Sequence, residues 1–446
     1  METQLSIQDQ ARTAPPGTAP DRTEADESLL PDDLLRQLIA VGEVDLLVGI
    51  PTLNHAKTVG QVVRAVQIGF VKYFPRERAV LINLDGGSTD GTPEQIRATS
   101  IDDFRPLLAA QPLRTLHRIT TPYPGPPGRA GALRTLLAAA DLVRAKACAV
   151  VSPDLENITP EWIDALIRPV YKEGFDLITP LYQRHKFDGL LISNLIYPMV
   201  QAIYGYRIRE PLGPEFGLSG RFARSLLAGE GAVRTPSVYG IDLAITAAAA
   251  ARGNRIGQSF LGPKVHASRQ DEPTLPEALR QSVGALFEQM ERDAAVWLPR
   301  SGSAPLPVFG FEYAMRLEPI RINKRRMLET FRAGVRELST LFEAILSEGT
   351  RESIHHRAGM DDKAFRYPDD LWVKTVYEFA AAFHHGALHR SHLIQALTPL
   401  YLGRACSFVL ENTDAGSEEV GKRIEALCLE YERQKAELIE RWNIKQ

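Results

Sequence analysis

The sequence predicts an α/β fold in which a mostly parallel sheet has helices on both faces, followed by an α-helical region. Two observations carry this prediction. Between residues 45 and 182, apolar runs of strand length alternate with segments that have helical spacing. From about Thr274 onward, the pattern is mostly that of amphipathic helices. The alternation favours parallel strands that are joined through helices.

The predicted strands are continuous apolar runs, which is typical of strands buried on both faces of a sheet. In chain order they are VDLLVGIPTLN, RAVLINLD, RTLHRIT, CAVVSPD, FDLITPLY and the shorter RIGQSFLG. A helical segment follows each of the first four, and a further helix is predicted over DGLLISNLIYPMVQAIYG. The segment REPLGPEFGLSG is rich in glycine and proline and predicts a loop.

The chain divides into three predicted parts. Residues 1–30 are polar and rich in proline, threonine and alanine, which predicts a disordered tail. Residues 31–272 form the α/β domain, where we expect the ligand and the catalytic residues, and residues 273–446 form a helical domain. One face of these helices is too apolar to be left in water. We therefore expect it to pack on the first domain or to form a homodimer or higher homo-oligomer.

The composition argues against several classes of function. The net charge is −3 without a basic block, which disfavours a nucleic-acid-binding protein. No apolar run is expected to span a membrane, and the N-terminus lacks the layout of a signal peptide. The three cysteines are far apart and form no CxxC pair, so neither a zinc site nor a disulfide framework is expected. A cytoplasmic location is the resulting expectation.

Several loops that follow predicted strands carry polar side chains, and in parallel sheets ligands bind beyond the carboxyl ends of the strands. This rule gathers residues 51–55, 85–88, 124–129 and 152–156 along one edge. Asp85 is either a turn residue or a carboxylate that binds a nucleobase or ribose. Asp154 is either part of a helix-capping loop or a ligand of a divalent cation, because Mg²⁺ and Mn²⁺ favour oxygen ligands.

The glycine-rich loop that ends in Gly128 and Arg129 opens a helix. Backbone N–H groups and the helix dipole favour a phosphate at such a position, and the arginine adds a bidentate donor. A plain Pro/Gly connection gives the same pattern. The loop matches neither of the glycine patterns of classical dinucleotide or ATP folds.

Three further charged positions allow two interpretations each. His266 lies between Lys264 and Arg269, which suits a pyrophosphate–metal site, whereas a lone histidine is more often structural. Arg184 could bind a substrate carboxylate and Glu215 sugar hydroxyls, but surface ion pairs would explain both residues.

Taken together and in order, these segments resemble the GT-A-type retaining glycosyltransferases, in particular mannosylglycerate synthase and glucosyl-3-phosphoglycerate synthase. The segments are VGIPTLN, NLDGGSTDGTP, GRAGALRT, SPDLENITPEWI, PLYQRHKFDG, REPLGPEFGLS, YGIDLAI and LGPKVH. The resemblance covers about Val44 to Arg269 and implies a GT-A, Rossmann-like sheet. More weakly, the C-terminal helices are similar to the helical extension of mannosylglycerate synthase.

The resemblance implies a hexosyltransferase that binds a nucleoside diphosphate sugar together with Mg²⁺ or Mn²⁺. Mannose or glucose would move from GDP-mannose, or from UDP- or GDP-glucose, to a small hydroxy acid such as D-glycerate. The configuration at the anomeric carbon would be retained. Neither nucleic acid nor a membrane is among the implied partners.

Matching the family's motifs to this chain assigns roles to single residues. The implied donor-binding residues are Pro51, Leu53, Asn54, Asp85, Gly128, Arg129, Ser152 and Lys264. The implied metal ligands are Asp154 and His266. The residues expected to act beside the reacting sugar are Leu212, Glu215 and Asp242. The expected acceptor-binding residues are Arg184, Ser193, Gly213 and Arg269.

The chain departs from the family's pattern at four positions. Ser152 replaces the first acid of the DxD motif, and His55 replaces an acid after the nucleoside loop. Ile192 replaces an acceptor-site threonine. Leu190 replaces the arginine that grips the phosphate of 3-phosphoglycerate, so unphosphorylated glycerate, or a glycoside of it, is the favoured acceptor.

Other functions stay open on the sequence alone. One is an enzyme like glucosyl-3-phosphoglycerate synthase with a phosphorylated or glycosylated acceptor. Another is an inverting transferase in which Glu215 or Asp242 is the general base. A third is a sugar-nucleotide-binding protein without catalysis, and a fourth is a helical scaffold that drives oligomerisation.

Overall fold

The structure is a computed structural model that describes residues 29–100, 116–124, 128–228, 240–266, 274–311, 320 and 322–444. Almost all of the predicted tail lies outside these ranges, so its disorder stays a prediction. The predicted acceptor residue Arg269 and most of the glycine-rich loop before Gly128 also lie outside the described residues.

The core of the α/β part is an eight-stranded sheet with the order β3-β2-β1-β4-β6-β5-β7-β8. The strands are β1 (Leu46–Thr52), β2 (Ala79–Asp85), β3 (Leu116–Pro122), β4 (Ala147–Val150), β5 (Leu177–Gln183), β6 (Phe216–Ser219), β7 (Ile256–Pro263) and β8 (Val308–Phe309). Every strand pair is parallel except those of β6, which runs antiparallel to β4 and β5. The predicted mostly parallel α/β fold is therefore confirmed.

Helices of the α/β part cover both faces of this sheet. They are α1 (Asp32–Val41), α2 (Val59–Tyr73), α3 (Thr92–Ala98), α4 (Arg129–Leu142), α5 (Pro160–Glu173), α6 (Tyr197–Tyr204), α7 (Gly220–Ala228) and α8 (Gly240–Ala251). Successive residues of β1 belong to different apolar clusters, Leu47 to one and Val48 to the other. Side chains of a strand alternate between faces, so β1 is buried on both sides, as its continuous apolar run predicts.

Strand β6 corrects the sequence analysis, which predicted a loop throughout residues 209–220. The strand has only four residues and contains Gly217, so its apolar pattern is too short to be recognised. A Cβ atom at Gly217 would lie 2.0 Å from the carbonyl oxygen of Leu166. Glycine is thus required where α5 approaches the strand. The two-residue edge strand β8 was not predicted either.

Apart from β8, which joins the sheet, the regular elements of the described C-terminal region are helices, as predicted. Its helices are α9 (Leu275–Arg292), α10 (Ala294–Trp297), α11 (Lys324–Glu337), α12 (Ser339–Ile345), α13 (Glu348–Ala358), α14 (Asp369–His385), α15 (Arg390–Glu411) and α16 (Ser417–Trp442). Helix α16 packs along α6 of the α/β part. One apolar cluster includes Ile203 of α6 and Leu438 of α16, so the apolar faces of the two regions are buried together.

Helix α15 differs from one expectation. Among the described residues, it is the one helix that is long and apolar enough to cross a membrane by length and composition. No such run was expected from the sequence. In the structure, 78% of the apolar 18-residue stretch within this helix is buried inside the protein. The buried surface accounts for its apolar composition.

Candidate active site

Asp85 closes the turn after β2 with its own carboxylate. The hydroxyls of Thr52 and Ser88 donate to Oδ1 at 2.9 and 2.6 Å, and the amides of Gly87 and Ser88 donate to Oδ2 at 3.1 and 2.8 Å. A carboxylate offers about four acceptor positions, and these contacts use them. The buried strand thus ends on an acid because the acid organises the turn. Its contact with a base or ribose stays a prediction.

The loops after β1 and β2 are joined to each other by polar contacts. The backbone amide of Asn54 donates to the Ser88 hydroxyl at 2.9 Å, and the side-chain oxygen Oδ1 of Asn54 accepts from the backbone amide of Thr89 at 2.9 Å. Asn54 has a φ of 59°, a left-handed conformation that asparagine tolerates better than most residues. Asp90 Oδ2 accepts from the Ala56 amide at 2.9 Å. The two loops therefore form one fixed surface.

The predicted nucleoside loop lies at the open side of this surface. Leu53 and Asn54 are exposed, and Pro51 is half-buried. The hydroxyl of Thr58, at the start of α2, donates to the carbonyl of Pro153 at 2.7 Å. This bond connects the nucleoside loop with the loop after β4, which carries Ser152 and Asp154.

Arg129, at the first turn of α4, forms a buried ion pair. Its Nε lies 3.0 and 2.9 Å from the two carboxylate oxygens of Asp242, and Nη2 donates to the carbonyl of Pro214. Asp242, Glu215 and Asp154 raise the pKa of Arg129 against the opposing effect of burial. The arginine predicted to bind phosphate therefore lies within the field of three predicted site carboxylates.

Asp242 is held on the first turn of α8. Burial raises the pKa of Asp242 to about 6, and the charge of Glu215 adds to the shift while Arg129 opposes it. The carboxylate is 3% exposed, so its ion pair with Arg129 has little contact with solvent. At neutral pH, Asp242 is ionised and adds negative charge to the same cluster.

Glu215, which immediately precedes β6, has no exposed surface. Lys264 Nζ lies 3.2 and 3.0 Å from its two carboxylate oxygens. Tyr182 donates its hydroxyl to Oε2, and Ser152 also hydrogen-bonds the carboxylate. Burial opposes ionisation, but the Lys264 charge and these hydrogen bonds hold the pKa of Glu215 below its usual value. Ser152, the position where the family has an acid, therefore serves here as a partner of Glu215.

The two predicted metal ligands lie on paired segments. Leu155 and His266 form an isolated antiparallel bridge, and the amide of Glu156 donates to the carbonyl of Val265 at 2.9 Å. Asp154, which precedes this bridge, is buried, whereas His266 is exposed. The chain brings these residues together from the ends of β4 and β7. Among the described residues, no group of three or more His, Cys, Asp or Glu side chains could hold a metal ion alone.

The predicted acceptor side has its own ion pairs. Arg184 forms a bidentate pair with Glu210, at 2.6 and 3.0 Å, and a second pair with Asp188 at 3.0 Å. Two cations lie over the Tyr182 ring. The guanidinium carbon of Arg184 is 5.1 Å and Lys264 Nζ is 5.2 Å from the centroid of this ring. Tyr182 thereby connects the acceptor side to the Glu215 cluster.

The remaining predicted residues lie on the loops beside these clusters. Leu212 is buried. A Cβ atom at Gly213 would lie 2.3 Å from Cγ of Pro180, so this loop requires glycine to lie against β5. The Ser193 hydroxyl lies 3.4 Å from the carbonyl of Leu190.

Two buried residues of the site were missed by the sequence analysis. Tyr182 lies near the carboxyl end of β5, so the rule that points to strand ends also indicates it. Glu210 lies in an irregular segment 26 residues after its partner Arg184, and no local pattern marks it. Both residues supply polar contacts to predicted site residues.

No protein-family model matches the chain, and no curated protein matches its sequence. Among solved structures, it is similar to glucosyl-3-phosphoglycerate synthase from Mycobacterium tuberculosis in complex with Mn²⁺, UDP and phosphoglyceric acid. That likeness has 21% identity, covers 59% of this chain and 83% of that chain, and has a TM-score of 0.41.

Two further solved structures give similar values. The same synthase with Mg²⁺ and UDP is 21% identical, with 58% of this chain and 83% of that chain covered and a TM-score of 0.41. A mycobacterial protein is 22% identical, with 59% and 80% covered and a TM-score of 0.40.

Proposed function

We propose that this protein is a retaining glycosyltransferase that moves a hexose from a nucleoside diphosphate sugar to a small hydroxy acid. The observation that carries the proposal lies at the carboxyl edge of the sheet. There Arg129 pairs with Asp242 at 2.9 Å and donates to the carbonyl of Pro214, the residue before Glu215, and the segment that carries Asp154 pairs with that of His266. A diphosphate–cation unit needs carboxylates for the cation and a guanidinium for the phosphates, and this edge holds both.

Asp154 and His266 are the residues that would hold a divalent cation, Mg²⁺ or Mn²⁺. Their segments pair directly, and a protein often supplies only one or two side-chain ligands to such cations, with phosphate oxygens and water completing the shell. Bound there, the cation would supply positive charge to the departing diphosphate. The similar synthase was solved with Mn²⁺ or Mg²⁺ beside UDP, and the cation proposed here is of the same class.

Arg129 would supply the second positive charge for the diphosphate. It stands at the first turn of α4, where the helix dipole and the backbone N–H groups also favour an anion. Its pair with Asp242 keeps the guanidinium in a defined position. Such fixed charges stabilise a transition state without a reorganisation cost during the reaction.

Glu215 and Asp242 would orient the sugar and stabilise positive charge that develops on its ring. Each already has a cationic partner, Lys264 and Arg129 respectively. Carboxylates with occupied acceptor positions are poor candidates for a covalent nucleophile. We therefore propose attack by the acceptor hydroxyl from the face that the diphosphate leaves. The new bond joins the acceptor oxygen to the anomeric carbon, the bond from that carbon to the diphosphate breaks, and the acceptor proton passes to a phosphate oxygen.

The acceptor class is proposed as an unphosphorylated hydroxy acid. Leu190, half-buried beside the predicted acceptor residues, has no charge for a second anionic group. Arg184 offers the guanidinium on this side, held by Glu210 and Asp188. Two carboxylates already lie beside the Arg184 guanidinium. We therefore propose that it favours an acceptor with a single carboxylate over an acceptor that also carries a phosphate.

A donor-by-acceptor screen tests the proposal through released nucleoside diphosphate. GDP-mannose, UDP-glucose and GDP-glucose are each combined with glycerate, 3-phosphoglycerate and a glycoside of glycerate, with Mg²⁺ or Mn²⁺. We expect release that requires both an acceptor and the cation, and NMR of the product should show the donor's anomeric configuration. An inverted product would establish the inverting mechanism instead. Nucleotide binding without turnover on any acceptor would show a binding protein without catalysis.

A further inference from the structure

We infer that the C-terminal helical region positions the predicted acceptor residues, through a break in the helix that follows Arg184. The inference rests on the proposed function and adds a source of acceptor specificity outside the α/β part. Two contacts between the regions carry it. They flank the segment from Arg184 to Ser193 at both of its ends.

The first contact is a lysine bound to a helix end. Lys186 Nζ donates to the carbonyls of Asn412, Thr413 and Ala415, at 2.9, 2.7 and 2.8 Å. These carbonyls follow α15, and a cation at the C-terminus of a helix is favoured by unsatisfied carbonyls and by the helix dipole. Lys186 is two residues after Arg184, so this contact fixes the backbone that carries the predicted acceptor guanidinium.

The second contact lies at a short π-helical turn, Ile192–Ile196, which leads into α6. In a regular α-helix, the carbonyl of Asn194 would accept from residue 198, but Pro198 has no N–H group. The Trp372 indole donates to this carbonyl at 2.8 Å, and the Tyr431 hydroxyl lies 3.4 Å from it. Both donors belong to the helical region, so this region satisfies the carbonyl that the break exposes.

A polar relay continues from this point to Ser193. Arg404 of α15, 2% exposed, is held by Asp369 and by the carbonyl of Tyr367. Its Nε donates to Asn194 Oδ1 at 3.2 Å, and Asn194 Nδ2 donates to the Ser193 hydroxyl at 3.2 Å. The helical region therefore determines where the hydroxyl of a predicted acceptor residue lies. Small displacements of positioning groups have large effects on catalysis, so these contacts matter beyond the stability of the interface.

The chain offers a matched pair of variants to test this role. Trp372→Phe removes the indole that donates to Asn194. Trp297→Phe removes an indole that donates to the carbonyl of Met290, also at 2.8 Å, and both tryptophans have no exposed surface. Trp297 also lies in the helical region. Within the described residues, none of its hydrogen bonds and ring contacts reaches the segment from Arg184 to Ser193. The two variants therefore lose equivalent bonds at different places.

Steady-state kinetics on the full chain then separates positioning from general stability. We expect Trp372→Phe to raise the KM for the acceptor about tenfold, with the KM for the donor unchanged, whereas Trp297→Phe leaves both constants near wild type. Lys186→Met should act in the same direction as Trp372→Phe. Its control is Lys422→Met, because Lys422 pairs with Glu418 on the surface of α16. Amide hydrogen exchange over residues 184–196 should quicken in Trp372→Phe and not in Trp297→Phe.

Two results would overturn the inference in distinguishable ways. If the wild-type protein transfers sugar and both tryptophan variants share one acceptor KM and one exchange pattern, the positioning role fails while the proposed function stands. If the wild-type protein transfers no sugar to any acceptor, the proposed function fails and the acceptor role fails with it.

Discussion

Arg129 places its Nε between the two carboxylate oxygens of Asp242, at 3.0 and 2.9 Å, across 113 residues of sequence. The pair joins the first turn of α4 to the first turn of α8. It brings a cation to the phosphate-binding position that the glycine-rich loop predicts. It also opposes the rise that burial causes in the pKa of Asp242, the carboxylate expected beside the reacting sugar.

The first prediction concerns the pH dependence of stability. Burial raises the pKa of Asp242 from 3.8 to about 6. Between these two pH values, the Asp242 carboxyl group is therefore protonated in the folded protein and ionised in the unfolded chain. The contribution of Asp242 to the free energy of unfolding therefore falls as pH rises from about 4 to about 6, by roughly 3 kcal/mol in total, and is constant above.

Asp242→Asn removes this titration. Urea denaturation of both proteins between pH 4 and pH 7 should show a wild-type-minus-variant difference that declines up to about pH 6. Parallel curves over the whole range would show that the carboxylate has an ordinary pKa.

The second prediction concerns Ser152. Its hydroxyl bonds the buried carboxylate of Glu215, so an aspartate at this position would place a second negative charge beside the first. We expect Ser152→Asp to lower both the melting temperature and the turnover. Ser152→Ala should have a smaller effect, a loss of about 1.5–3 kcal/mol for one hydrogen bond to a charged group. Thermal unfolding and nucleoside diphosphate release measure the two effects. Faster turnover by Ser152→Asp would show that this site accommodates the family's first acid.

The third prediction concerns the cation. Asp154→Asn should raise the Mg²⁺ or Mn²⁺ concentration for half-maximal turnover by about tenfold or more, because a neutral amide replaces the anionic ligand. Glu156→Gln is the control, since Glu156 is an exposed acid only two residues away. Metal titrations of the three proteins compare them directly. Equal requirements in all three would refute the assignment of Asp154 as a metal ligand.

The fourth prediction concerns Asp85. An amide has one acceptor oxygen, so Asp85→Asn leaves donors among Thr52, Gly87 and Ser88 without an acceptor around a buried side chain. We expect the free energy of unfolding to fall by about 2–3 kcal/mol. Ser88→Ala should cost less, because Asp85 keeps both backbone amide bonds, and the Asn54 backbone amide, which also loses the Ser88 hydroxyl, belongs to an exposed residue. A variant Asp85→Asn with unchanged stability and weakened donor binding would show that ligand contact is the main role of this acid.

The alternation of apolar strands with helices was sufficient to predict six of the eight strands and the edge that carries the polar loops. Burial on both faces leaves a pattern within each segment, and this pattern can be recognised locally. The resemblance to the glycosyltransferases then indicated Arg129, Asp154 and Glu215, and the charges of Asp154 and Glu215 both raise the pKa of Arg129. Their roles in binding and catalysis stay predictions.

The residues that pair with Glu215 and Arg129 were predicted as site residues, but the pairings themselves could not be predicted in the same way. Lys264 lies 49 residues from Glu215 in sequence, and Asp242 lies 113 residues from Arg129. Such pairs depend on tertiary packing and on the balance of buried charge, which no local periodicity records. Asp85 shows the reverse case. Two glycines and a serine follow Asp85, and these are typical turn residues. They already indicated that Asp85 organises a turn, which is the role that the structure supports.

Because β6 runs antiparallel to its neighbours, the pairing of Glu215 with Lys264 depends on the register of this strand. Phe216, the first residue of β6, pairs with Val150, the last residue of β4, which brings Glu215 close to Ser152. A slip of one residue would turn Glu215 to the other face, and a slip of two would carry it about 7 Å along the sheet. A compact but misregistered protein would thus leave Lys264 without its counter-ion. Catalytic output would then serve as a sensitive reporter of correct folding in this four-residue strand.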